Sequence, residues 1–136
     1  MLSSETKVRV RYGETDKMSY VYYGNYATYY EVGRVEWLRE MGLNYKNMEE
    51  SGIMLPVVKF EINYFKPAFY DDLLTIKTIV TELPSSKIKF DYECYNEQAE
   101  LLNKGHTTLV FVDMNTGKAT RAPEYLLEKL RPSFIN

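Results

Sequence analysis

The sequence predicts an α+β domain in which an antiparallel sheet packs on one long amphipathic helix. Three observations carry this expectation. The first strand-like run alternates with period two, and the segment after it repeats apolar residues at steps of three and four. Four further strand-like runs then follow one another through short turns. With 136 residues, 45% of them hydrophobic, the chain is long enough for one buried core, and one domain over residues 1–136 is expected.

Thr6, Val8, Val10 and Tyr12 alternate with Lys7, Arg9 and Arg11, the pattern of a half-buried strand ended by Gly13. From Gly24 or Asn25 to Met41 the period becomes helical. Tyr26, Tyr30, Gly33, Trp37 and Met41 form the apolar stripe, while Glu31, Arg34, Glu36 and Arg39 fall largely elsewhere. Gly24 or Asn25 suits the N-cap and Gly42 the position after the C-cap. Gly33 inside a helix costs about 1 kcal/mol relative to Ala, so a close approach of helix to sheet is expected there. Glu31 and Arg34 are spaced to pair along the helix surface. A short polar helix is expected over Tyr45–Glu50, ended by Ser51-Gly52.

Val58, Phe60, Ile62 and Tyr64 make the next alternating run. Leu74, Ile76 and Val80 follow the turn "PAFYDD", and Ile88, Phe90, Tyr92 and Cys94 follow "LPSS". "LLNKGHTTLVFVD" reads as one long strand closed by "MNTG", with "KATRA" as a short last strand. Pro123 suits the first position of a C-terminal helix. The edges of such a sheet need protection, and pairing with a second copy is a common answer.

Seventeen Lys and Arg stand against nineteen Asp and Glu, a net charge of −2, which argues against a nucleic-acid binder. The single cysteine excludes an internal disulfide and fits a reducing compartment. No apolar h-region opens the chain and no run is long enough to span a membrane, so a cytoplasmic protein without membrane insertion is expected. The motifs of serine hydrolases, zinc proteases, P-loops and dinucleotide folds are all missing. One His and one Cys make a soft-ligand metal site untenable. His106 lies mid-strand and Cys94 shares the apolar face of its strand, so both read as structural.

Carboxylate chemistry remains. Asp16 sits in the loop between the first strand and the long helix, close to a helix N-terminus with unsatisfied N–H groups and partial positive charge. Such groups can hold an oxyanion, and a carboxylate beside them can attack a carbonyl or activate water. Spacing alone leaves this reading open against a plain turn-capping role for Glu14 and Asp16.

The stretch "YGETDKMSYVYYGNYATYYEVGRVEWLREMG" resembles the N-terminal signature of hotdog-fold acyl-CoA thioesterases. The branch is that of 4-hydroxybenzoyl-CoA thioesterase and the Tol–Pal-operon acyl-CoA thioesterases. Glu14 and Asp16, Val21-Tyr22 and Asn25-Tyr26 carry the resemblance, with "KPAFYDDLLTI" and "VDMNTGKATRAP" matching later segments in order. The resemblance implies a curled sheet around a central helix, a homodimer or homotetramer with interfacial sites, and hydrolysis of an acyl-CoA or acyl-carrier-protein thioester. It implies no cofactor and no metal. It places the catalytic acid on Asp16, as nucleophile or general base, and the oxyanion-binding backbone N–H on Tyr23. Gly24 and Asn25 at the helix start fall in the substrate-binding region. Lys87 and Arg121, and less strongly Lys89 and Lys118, are candidates for the CoA phosphates. Relatives carry Gly where this chain has Ser19, so a strained loop is expected, at a cost on the order of 1 kcal/mol. The alternative function is a non-catalytic binder of acyl-CoA or acyl-carrier protein. A dehydratase would need a catalytic His, and His106 lies in the wrong segment. The tyrosines of the helix read mainly as core and interface.

Overall fold

The computed structural model describes residues 2–43 and 45–134. Five antiparallel strands form the main sheet in the order β1-β4-β5-β6-β3. They are β1 (Leu2–Arg9), β3 (Val57–Tyr64), β4 (Leu73–Val80), β5 (Lys87–Tyr95) and β6 (Leu101–Val110). A two-stranded ribbon pairs β2 (Ile53–Met54) with β7 (Val112–Asp113). The helices are α1 (Asn25–Glu40), α2 (Tyr45–Glu50) and α3 (Glu124–Leu130). This is the expected α+β hotdog arrangement, with α1 packed on β1, β4 and β5.

The alternation read along β5 holds. Ile88, Phe90, Tyr92 and Cys94 are buried beneath the helix side, while the intervening charged residues point outward. Helix α1 buries Tyr26, Tyr29, Tyr30, Gly33, Arg34, Trp37 and Leu38, one stripe at steps of three and four. Tyr30 stacks on Tyr92 with ring centres 4.3 Å apart, and Trp37 meets Phe90 edge-on at 5.5 Å. At Gly33 the helix touches the sheet. A Cβ there would lie 2.6 Å from Thr78 Oγ1 and 2.9 Å from Ile76 Cγ2. Gly42, with φ +78°, ends the helix in the left-handed conformation that glycine favours.

Several expectations are corrected. The first strand stops at Arg9, because the Arg11 N–H donates to the Glu14 carboxylate at 2.8 Å and turns the chain. Tyr12 is therefore outside the strand and exposed, edge-on to Tyr70. The long strand expected from Leu101 to Asp113 breaks at buried Phe111, whose N–H donates to the Ser86 carbonyl. Beyond it β7 joins β2. "KATRA" contributes only an isolated bridge between Ala119 and Val112. Helix α3 starts one residue after Pro123, which serves as its N-cap. Arg34 does not pair with Glu31. It shares the buried stripe one turn from Tyr30 and Leu38, and its Nε donates to the Tyr45 hydroxyl at 3.3 Å. Finally, β3 is an edge strand, so its alternating residues stay exposed, with Val58 57% accessible and Phe60 and Tyr64 also open.

Gly33→Ala tests the close approach. Helix propensity alone would favour Ala by about 1 kcal/mol. The contacts with Thr78 and Ile76 predict the opposite sign, a loss of about 1–3 kcal/mol from overpacking, read from urea unfolding.

Candidate active site

The site begins with a tight loop. Thr15 and Val21 form an antiparallel bridge, the Asp16 N–H donates to the Tyr20 carbonyl at 2.8 Å, and the Ser19 N–H donates to the Asp16 carbonyl at 3.0 Å. Ser19 closes this turn with φ +67°, the left-handed conformation expected to strain a residue other than glycine. The closure has a local return. Asp16 Oδ1 accepts N–H groups from Met18 at 2.8 Å and Tyr20 at 3.2 Å. One carboxylate oxygen is thus fixed by its own loop, and Oδ2 makes no hydrogen bond among the described residues.

Two attachments set the loop's place. The Val21 N–H donates to the Ala68 carbonyl at 2.9 Å, and Tyr20 bridges Phe69, which ties the loop to the entry of β4. On the other side the Glu14 carbonyl accepts the Tyr22 N–H and Asn25 Nδ2, both at 2.8 Å. Asn25 thereby spends its side chain on the loop instead of on the helix cap, and Gly24 takes the N-cap position. The amides of Tyr23 and Gly24, just ahead of α1, make no hydrogen bond among the described residues, while those of Asn25 and Tyr26 in its first turn donate to the Tyr22 and Tyr23 carbonyls at 2.9 and 3.3 Å.

Asp16 and Tyr23 line one cleft of about 440 Å³. Its walls are aromatic: Tyr20, Tyr23, Tyr26, Tyr64 and Phe65, with Val21 and Pro67. Lys66 also borders it, paired with Glu100. Of the expected site residues, Asp16, Tyr23, Gly24 and Asn25 are therefore neighbours at one end of the sheet. Lys87 and Arg121 are not. Lys87 starts β5 opposite Val110, and Arg121 precedes Ala122, whose N–H donates to the Ser85 carbonyl. Tyr64, at the cleft, pairs with Asn103. Val110 and Asn103 lie seven residues apart on β6, roughly 23 Å at the rise of a strand. Both cations are exposed and make no salt bridge among the described residues, although Arg121 is near enough to Glu124 to help lower its carboxyl. Lys89, by contrast, pairs with Glu82 at 3.3 Å.

Sequence reasoning missed Tyr64, Phe65 and Lys66 as cleft residues. Tyr64 was read only as the end of an alternating strand. The missed signal was three consecutive large side chains where that strand runs out into "KPAF". Glu14 stands in the sequence as half of the acid pair that carries the resemblance, or as a turn-capping acid, and neither reading links it to Tyr29.

The two remaining nucleophile candidates are structural. Burial pushes the Cys94 thiol up to about 12, so the thiolate is not accessible near neutral pH. His106 does stand in a triad-like row, with Nδ1 2.8 Å from Asp91 Oδ1 and Nε2 2.8 Å from Thr108 Oγ1. That row lies on the outer face of the sheet, in ladders that pair β5, β6 and β3. Amides spent on the ladder cannot serve an oxyanion there.

The family model of the thioesterase-like superfamily matches residues 10–130. A structure described as DHNA-CoA thioesterase from Staphylococcus aureus superposes with a TM-score of 0.89 at 34% identity, covering 100% of this chain and 97% of that one. The acyl-CoA thioesterase YbgC of Haemophilus influenzae is 30% identical over 118 residues, 86% of each chain. A variant of 4-hydroxybenzoyl-CoA thioesterase, complexed with 4-hydroxybenzoyl-CoA, shares the fold with a TM-score of 0.83 at 23% identity, covering 93% of this chain and 97% of that one. The family match begins one residue after β1 and runs through the Asp16 loop, the helix, the rest of the sheet and α3, and the chain belongs to the thioesterase-like superfamily.

Proposed function

We propose that the protein hydrolyses acyl-CoA thioesters, releasing CoA and a carboxylic acid. One observation carries this reading: a carboxylate with one oxygen held and one open lines the same apolar cleft as Tyr23, whose amide just ahead of α1 is unbonded. The acyl group lies among the aromatic walls, which suit a flat or apolar moiety. The thioester carbonyl oxygen sits on the Tyr23 N–H, with Gly24 beside it. There the helix terminus stabilises the charge that develops in the tetrahedral intermediate.

Asp16 Oδ2 has two routes. As nucleophile it attacks the carbonyl carbon, the C–S bond breaks, CoA leaves as thiolate and water hydrolyses the mixed anhydride. As general base it takes a proton from a water whose oxygen attacks the carbonyl carbon, and the C–S bond then breaks with CoA leaving as thiolate. A thiol with pKa of about 8.5 leaves without much acid assistance, so a site with a single acid suffices. Single-turnover reaction in ¹⁸O-water tests the nucleophilic route: label in Asp16 shows that an anhydride formed at its carboxylate and that water attacked the aspartyl carbonyl.

The working unit is proposed as a homodimer joined through the exposed edge of β3. Antiparallel pairing of β3 with its copy sets the Val57 end of one protomer beside the Tyr64 end of the other. It brings the partner's end of the sheet that carries Lys87 and Arg121 toward this cleft. The distance between those cations and Asp16 within one chain favours this reading, because CoA needs a cationic contact for its phosphates. Sedimentation at micromolar concentration is expected to show a dimer or a larger even assembly.

Asp16→Ala should lower kcat/KM by at least about 10³-fold across short, long and aromatic acyl-CoAs, measured by thiol release. Wild-type rates in this variant would overturn the reading in favour of a non-catalytic binder. Lys87→Ala and Arg121→Ala should each raise KM by about 3–10-fold with little change in kcat. Ser19→Gly should stabilise the fold by about 1 kcal/mol or less and change kcat/KM by less than about threefold.

A further inference from the structure

We propose that Glu14 is a positioning residue of this site, a clamp that holds the Asp16 loop in register with the start of α1. The inference rests on the hydrolytic reading above. The Glu14 carboxylate accepts from both the loop and the helix. Oε1 takes the Arg11 N–H and the Tyr29 hydroxyl, each at 2.8 Å, while Oε2 takes Arg11 Nε at 3.2 Å and Nη2 at 3.0 Å. Its carbonyl accepts the Tyr22 N–H and Asn25 Nδ2. Six donors thus converge on one residue, three from Arg11 ahead of the loop, one from Tyr22 just after it, and two from the first two turns of α1.

The location explains why this matters. Asp16 lies two residues after Glu14, and Tyr23 directly follows Tyr22. The two parts of the reactive constellation therefore hang from the two sides of one clamp. Tyr29 is 1% exposed, so its hydroxyl has no water to turn to if Glu14 is removed. The Glu14 side chain is only 13% exposed and lies outside the cleft, so it does not touch the substrate.

The expected signature is a fall in kcat rather than a rise in KM. Glu14→Ala should lower kcat by about 10²-fold, the scale of an ångström misplacement, with KM within about threefold. Glu14→Gln keeps an oxygen for the Arg11 N–H and Tyr29, and should recover kcat to within about tenfold of wild type. Tyr29→Phe should lower kcat by about tenfold, and adding it to Glu14→Ala should cost little more. A purely architectural Glu14 would leave kcat of the folded fraction at the wild-type value, and that result would overturn the proposal.

A second readout does not depend on activity. The Met18 and Tyr20 amides held by Asp16 should exchange with deuterium faster in Glu14→Ala than in wild type. Unchanged exchange at those amides overturns the clamp even if Asp16→Ala is inactive. Retained activity in Asp16→Ala with accelerated exchange would instead remove the hydrolytic reading and leave the clamp.

Acid should loosen the same contacts. Burial raises the Glu14 carboxyl, but the Arg11 N–H, the Tyr29 hydroxyl and the Arg11 guanidinium outweigh it and hold it below the usual 4.5. The charged and titratable groups facing it are Arg11 on its own loop and Tyr29 on α1. A depressed carboxylate stabilises the fold fully above its unfolded value and loses that contribution as pH falls through the folded one. The urea midpoint of wild type should therefore exceed that of Glu14→Gln above pH 5 and converge on it toward pH 3. A gap that stays constant with pH would count against a charged clamp.

Discussion

Helix α1 lies on the sheet as closely as backbone allows, and the rest of the structure is arranged around that contact. Gly33 leaves no room for a Cβ against Thr78 and Ile76 of β4. One turn earlier, Tyr30 lies against Gly105 of β6, where a Cβ would collide with its ring. Two contacts on one face, to strands on either side of β5, set both the height of the helix and its rotation. Once the rotation is set, Tyr26 and Tyr29 are buried and the open amides of Tyr23 and Gly24 end up beside the Asp16 loop.

A helix lined with tyrosines brings hydroxyls into the core, and each needs a partner. Tyr30 donates to Asn103 Oδ1, Tyr92 bonds Thr107 Oγ1 at 2.6 Å and Tyr29 donates to Glu14. Burial pushes the Tyr92 hydroxyl up to about 12, and the others also move upward. These groups are packing with satisfied polar tips. Arg34 follows the same rule, held by tyrosine hydroxyls where the helix stripe carries it inward.

Much of this was legible in the residues. The bounds of α1 and α2, the alternating faces of β4 and β5 and the left-handed Gly42 all follow from local periodicity and backbone sterics. The break at Phe111 was not legible, since alternation continues through it and only the pairing of β7 with β2 ends the strand. Exposure of β3 was hidden for a related reason: period two marks which residues share a face but not whether a neighbouring strand covers the edge. At the site, Asp16 and the helix start stood out because they are close in sequence. Tyr64 and Phe65 came to the cleft only through the ladder with β6, and the bond between Glu14 and Tyr29 spans fifteen residues.

Ser19 shows how local strain and function can be reconciled. A left-handed residue at this point lets the Met18 and Tyr20 amides converge on the same Asp16 oxygen. Serine makes that conformation less favourable than glycine would, by about 1 kcal/mol. The two N–H···carboxylate bonds it permits are charge-assisted, and each is of comparable or larger size. The turn therefore holds without glycine, and the strain falls on the backbone rather than on the open oxygen. That separation lets the loop tolerate a costly residue while Asp16 stays at the edge of the cleft with Oδ2 unbonded among the described residues.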